Sequence, residues 1–189
     1  MQRRQFIARA AGVLSAALLP MHYALAHTPY AQWNIFRKRH LQILTSRADL
    51  AGDEVGDAWV EILHDKLPLS RAMVSRAHNM TRIAALLKTD QSKLAVLSYT
   101  HAQQMFKGAD QFEEYGQMPL EVLVDDGKYL LVTRSDLPLH HGFLIVATLM
   151  GEANKLNLLD PGTGRFGMSL HAGARAYQSG EKLEMPTES

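Results

Sequence analysis

The chain is 189 residues long and 47% apolar, with 20 Lys and Arg against 19 Asp and Glu and no cysteine. So small a net charge gives no electrostatic basis for binding nucleic acid. Without cysteine there is no disulfide, thiolate metal site or cysteine nucleophile, while the apolar share is enough to fill a core at this length.

The first 26 residues hold Arg3, Arg4 and Arg9 and no acidic residue. The apolar run Ala10–Leu19 follows, well short of the roughly 20 residues that span a bilayer. Ala24-Leu25-Ala26 then fits a small-residue cleavage site. The paired arginines, with Phe6 close behind, resemble the twin-arginine export motif. The expectation is a twin-arginine signal peptide over 1–26, cleaved after Ala26, which delivers 27–189 to the periplasm as a single domain. That mature part keeps 17 of the basic residues and all 19 acidic ones, a formal charge of −2.

Residues 27–40 form an aromatic and basic leader (Tyr30, Trp33, Phe36), whose Arg37-Lys38-Arg39-His40 cluster reads as a solvated face. Leu41–Thr45 predicts a buried strand, followed by a loop over Ser46–Gly52. Val55, Trp59, Ile62 and Leu63 recur at helical spacing, with Asp53 and Glu54 suited to the helix start and Pro68 beyond its end. Ala72–Ser75 is a second strand. Asn79 caps a helix whose apolar face is Met80, Ile83, Ala84 and Leu87. Leu94–Leu97 is a third strand, and Thr100 caps a helix that stops at Gly108.

Leu120–Val124 and Tyr129–Thr133 flank Asp125-Asp126-Gly127, the strongest hairpin signal in the chain. Asp136 and Pro138 open a long apolar helix over Leu139–Glu152. An irregular stretch around Asp160–Gly164 and a short helix near Ala172–Gln178 complete the lobe over 41–180, and 181–189 reads as a flexible tail.

Strands alternating with helices imply an α/β fold with a mostly parallel sheet flanked by helices. Ligands of such sheets bind beyond the carboxyl ends of the strands. That rule selects Thr45, Ser46 and Arg47 after the first strand, Arg76 and His78 after the second, and Ser98, Tyr99 and Thr100 after the third. Hydroxyls, arginines and helix N-termini suit a carboxylate or another small oxyanion. Arg47 would hold its charge.

Other motifs carry less. Gly162-Thr163-Gly164-Arg165-Phe166-Gly167 matches a dinucleotide fingerprint on paper, but Asp160-Pro161 stands where a strand should, so a turn is expected. No histidine pair has the spacing of a helical zinc site, and adjacent His140 and His141 diverge on a helix. His27 would become the N-terminal residue and could bind copper there. The copper oxygenases that use such an end are β-sandwiches, however, and no metal is expected here. No serine sits in a nucleophile elbow. Asn79-Met80-Thr81 fits a glycosylation sequon but reads as a cap.

The order of strand, loop, amphipathic helix, strand, helix and Leu94–Leu97 strand resembles the first lobe of type II periplasmic solute-binding proteins. Met168-Ser-Leu-His171-Ala-Gly173-Ala174-Arg-Ala-Tyr177 is similar to the ending Pro-Leu-His-Pro-Gly-Ala-x-x-Tyr-Tyr of one subgroup. Tyr129–Asp136 resembles the strand that precedes it there. This subgroup is the TAXI (immunogenic-protein) branch of TRAP transporter solute receptors. Those receptors have two lobes, and the Asp125–Lys128 hairpin sits where the second would be inserted. Their glycine-rich first loop is replaced by Thr45–Asp49.

The resemblance implies one receptor-like lobe: an exported, non-catalytic solute-binding-like protein for transport or sensing. It would recognise a small carboxylate or oxyanion, or a partner such as a membrane transporter or exported protein. The alternative is an accessory subunit of an exported redox enzyme complex. No cofactor and no nucleic-acid partner is expected.

Overall fold

The computed structural model describes residues 40–160, 162 and 164–181. The signal peptide, all of the leader but His40, and the tail beyond residue 181 lie outside the described residues. Five strands, β1 (Gln42–Ser46), β2 (Met73–Ala77), β3 (Leu94–Ser98), β4 (Leu120–Asp125) and β5 (Tyr129–Arg134), form one sheet in the order β2-β1-β3-β5-β4. β1 lies parallel to both β2 and β3, whereas β5 is antiparallel to β3 and to β4. The mostly parallel sheet of the sequence reading is therefore corrected to a mixed one. β1 to β4 share one direction, but β5 runs against them because a tight hairpin allows only antiparallel pairing. It wedges between β3 and β4, so both ladders on that half are antiparallel.

Helices α1 (Leu50–Lys66), α2 (Met80–Lys88), α3 (Tyr99–Lys107) and α4 (Leu139–Met150) flank the sheet. β1 and β3 are buried along almost their whole length, which is why their sequences are unbroken apolar runs rather than alternating ones. α1 turns Trp59, Ile62 and Leu63 inward. α2 buries Met80, Ile83, Ala84 and Leu87, the face its spacing predicts, and Asn79 caps it by accepting from the Arg82 amide at 2.9 Å.

Two helix starts differ from the sequence reading. Asp49 accepts from the Gly52 amide at 3.0 Å, so α1 begins at Leu50 rather than near Asp53. Ser98, not Thr100, caps α3, and β3 passes into that helix with no loop. The remaining elements are a short α5 (Ala153–Leu156), a ribbon of β6 (Gly164–Arg165) with β7 (Met168–Ser169), and α6 (Ala172–Gln178).

α6 crosses α4 closely through two glycines. A Cβ on Gly173 would lie 2.2 Å from the Phe143 amide nitrogen, and one on Gly142 would lie 2.2 Å from His171 Nδ1. His171 is buried, with Nδ1 accepting from the Gly173 amide at 3.1 Å and Nε2 donating to the Leu137 carbonyl at 2.9 Å. The His-Ala-Gly of the tail motif is thus the joint that fixes the last helix to α4 and to the segment that leads into it. Among the described residues no helix is long and apolar enough to cross a membrane.

Candidate functional site

The common direction of β1 to β4 brings Ser46, Ala77, Ser98 and Asp125 to one edge of the sheet. Of the predicted ligand residues, Thr45, Ser46, Arg76 and Ser98 occupy the last two positions of their strands, and Arg47, His78, Tyr99 and Thr100 follow them, so the fold gathers them on one side. Their chemistry is more self-contained than the sequence suggests. Thr45 is fully buried, and its hydroxyl donates to Asp53 Oδ1 at 2.6 Å. Ser46 is buried, with its oxygen accepting from the Ala48 amide.

Arg76 gives Nε to Asp53 at 2.8 Å and Nη2 to both Asp57 oxygens at 2.7 and 2.6 Å. Ser98 lies 2.9 Å from His101 Nδ1. Tyr99 donates its hydroxyl to Asp125 at 2.6 Å. Arg47, His78 and Thr100 are exposed; the Arg47 amide donates to the Ala77 carbonyl at 2.9 Å, and its side chain forms no hydrogen bond or ion pair within the described residues. The helix N-termini that were to receive an anion carry protein caps instead, from Asp49, Asn79 and Ser98.

The residues that satisfy this edge are Tyr99, which the strand-end rule selects, and Asp49, Asp53, Asp57, Asp125 and Tyr129, which it does not. Asp125 is 0% exposed and also accepts from the Gly127 amide at 2.7 Å and from Arg165 Nε. Tyr129 donates to Asp49 at 2.9 Å. Burial, then the facing Asp125 and Asp49 carboxylates, push the Tyr99 and Tyr129 hydroxyls up to about 12. Burial alone would raise the Asp53 carboxyl. The Thr45 and Arg76 hydrogen bonds and the charges of Arg76 and Arg47 outweigh that and hold it below its ordinary 3.8. In sequence, Asp53 reads as a helix-start residue and Asp125 as a turn residue. Their second role depends on neighbours that only the folded sheet supplies.

Chemically the edge carries hydroxyls, carboxylates and arginines, most of them paired with one another. Ser98 and His101 are within reach of each other, as a nucleophile and base would be. The same Ser98 oxygen also takes the His101 amide, and among the described residues no carboxylate hydrogen-bonds the ring to orient it. No group of three His, Asp or Glu among the described residues is placed to hold a metal ion. The Gly164–Gly167 stretch forms the ribbon's turn, with positive φ at Gly164, Phe166 and Gly167 and no helix until Ala172. A cleft of about 630 Å³ lies elsewhere, between α4 and α6, against Val146, Met150, Ala174 and Tyr177. None of the predicted ligand residues lines it. No known protein-family model matches this chain, and no curated protein is significantly similar to it.

Proposed function

We propose that this chain is a non-catalytic binding protein, one lobe of a type II solute-receptor fold working in the periplasm, and that it recognises its ligand at the carboxyl edge of the sheet. The observation that carries this reading is the convergence of four strand ends on that edge, three of them followed by a helix or a loop into one. Such an edge is where open α/β sheets meet their ligands. The β4–β5 hairpin supports the receptor relation. It closes through residues 126–128 at the place where a two-lobed receptor would continue into its second lobe.

A lobe without its partner cannot close over a solute, so contacts on one side alone must supply the affinity. Arg47 is the open cation for a small carboxylate or oxyanion, or for the same group on a partner protein. Leu50, which opens α1 three residues after Arg47, and Leu159 and Phe166, near the end of β4, are exposed. They favour contact with a transporter or another exported protein over a free solute. An accessory role in an exported redox complex would use the same face.

The test is a thermal-shift screen of the folded chain against small carboxylates and other oxyanions. A ligand at about a hundred times its Kd adds about 2.7 kcal/mol. Arg47→Ala should remove most of the shift. A flat screen refutes solute recognition, and a shift that survives Arg47→Ala refutes the anchor.

A further inference from the structure

We propose that Asp125 and the Tyr99 ring form a site for a guanidinium group, which the protein's own Arg165 fills as an internal ligand. The inference rests on the reading that the carboxyl edge is the recognition face, and it adds a cation-binding position to the anion-binding one at Arg47. Asp125 closes β4 at that edge and is wholly buried. Its Oδ1 is held by the Tyr99 hydroxyl and the Gly127 amide, which leaves Oδ2 for a cation. Arg165 Nε takes Oδ2, and its Cζ lies 5.9 Å from the Tyr99 ring centroid, within cation–π range. Phe166 packs edge-on against the same ring at 5.1 Å. A buried carboxylate beside an aromatic face is the chemistry that selects a planar, weakly hydrated cation.

The group now in the site is attached as a guest would be. Arg165 enters from solvent, its side chain 37% exposed. It sits on a two-residue strand in a ribbon whose tip, Phe166-Gly167, is exposed. The anchors of that ribbon lie further on, at buried Met168 and Leu170. Gly164, at φ +121°, precedes Arg165, and Gly167, at φ +88°, completes the tip; both take backbone conformations that side chains rarely adopt. Arg165 holds Asp125 through Nε alone. A free guanidinium therefore offers Asp125 the same donor without the tether.

Two sources supply that chemistry, a free solute and an arginine side chain of a partner. The experiment is an NMR titration of the full chain, following the Gly127 and Tyr99 amides, with ethylguanidinium, free arginine and a short arginine-containing peptide. Wild type should bind weakly because Arg165 competes. Arg165→Ala should bind about tenfold more tightly, since the fraction of open site rises. Arg165→Gln serves where Arg165→Ala does not fold. Asp125→Asn, which keeps an acceptor for Tyr99 and Gly127, should abolish binding.

Tighter binding of the peptide assigns the site to a partner, and tighter binding of arginine assigns it to a solute. A folded Arg165 variant that binds no guanidinium overturns the proposal, as does binding that Asp125→Asn leaves intact. In that case Arg165–Asp125 is only a staple for the ribbon. The Arg47-dependent response to anions is read separately, so either idea can fail alone.

Discussion

Thr45→Val tests whether the strand-end cluster behaves as the geometry requires. The substitution keeps the size and β-branching of a fully buried strand residue and exchanges one hydroxyl for a methyl. It removes a hydrogen bond to an ionised carboxylate, a contact worth about 1.5–3 kcal/mol. The new methyl would fall where Oγ1 now lies 2.6 Å from Asp53 Oδ1, inside a carbon–oxygen contact of about 3.3 Å, so the carboxylate must swing away. A loss of about 2 kcal/mol at neutral pH follows. Its pH dependence is the sharper prediction. The folded-state pKa of Asp53 is depressed, so its stabilisation is present above the unfolded value of 3.8 and is lost as pH falls through the folded value. In acid, Thr45 faces only a neutral carboxyl, worth about 0.5–1.5 kcal/mol, and the penalty for Val should shrink by about 1 kcal/mol. Thr45→Ser keeps the hydroxyl and loses only the methyl packed over Gly56, so its cost should not change with pH. Urea midpoints of the three proteins, at neutral pH and well below pH 3.8, provide the comparison. A Val penalty equal at both pH values would refute the assignment of Asp53 as an ionised partner of Thr45.

Gly142→Ala should cost about 1–3 kcal/mol despite its better helix propensity, because His171 is held at both ring nitrogens and cannot yield. Differential scanning calorimetry should show Tm falling by about 2–4 °C per kcal/mol, while Gly151→Ala at the exposed end of the same helix stays near wild type. On the alkaline side, Tyr99 and Tyr129 favour their neutral forms in the fold. The stability they contribute is complete below pH 10.0 and lost as pH rises toward about 12. Tyr99→Phe and Tyr129→Phe should each delete a late component of the tyrosinate absorbance titration. For export, Arg3→Lys with Arg4→Lys should hold the chain in the cytoplasm when fractions are probed by immunoblot. Periplasmic protein from that variant would rule out the twin-arginine route.

The elements legible in the sequence are those whose signal is local. The α2 face and its Asn79 cap, the β4–β5 hairpin, the Gly108 stop and the Ala172–Gln178 helix all follow from periodicity or from turn and cap chemistry within a few residues. What escaped depends on pairing across the sheet. Nothing in Tyr129–Arg134 says that the strand will insert between β3 and β4, so its antiparallel run beside β3 was not foreseen. β6 and β7 are two residues each, too short for a period to show. The site was half legible for the same reason. The rule of strand ends finds the edge and its hydroxyls. It does not reveal that Asp53 and Asp57 face Arg76 from one helix turn apart, or that Arg165 reaches Asp125 across 40 residues of chain.

The buried carboxylate is the feature of this edge that stability alone explains least. Moving a charge out of water costs several kcal/mol, and a buried ion pair seldom returns more than well-packed apolar side chains would. Asp49 and Asp53 reduce that cost by staying partly solvated and by capping or bracing α1, which needs them. Asp125 does neither. It ends its strand wholly enclosed, held by two donors from its own hairpin and from α3, and among the described residues only Arg165 forms an ion pair with it. A hydrophobic residue at position 125 would leave the Gly127 amide and the Tyr99 hydroxyl without their acceptor, although the ribbon would still have Met168 and Leu170 to hold it down. The β6–β7 ribbon covers this end of β4. Its Arg165 pairs with Asp125, the strand-end carboxylate that is buried among the described residues.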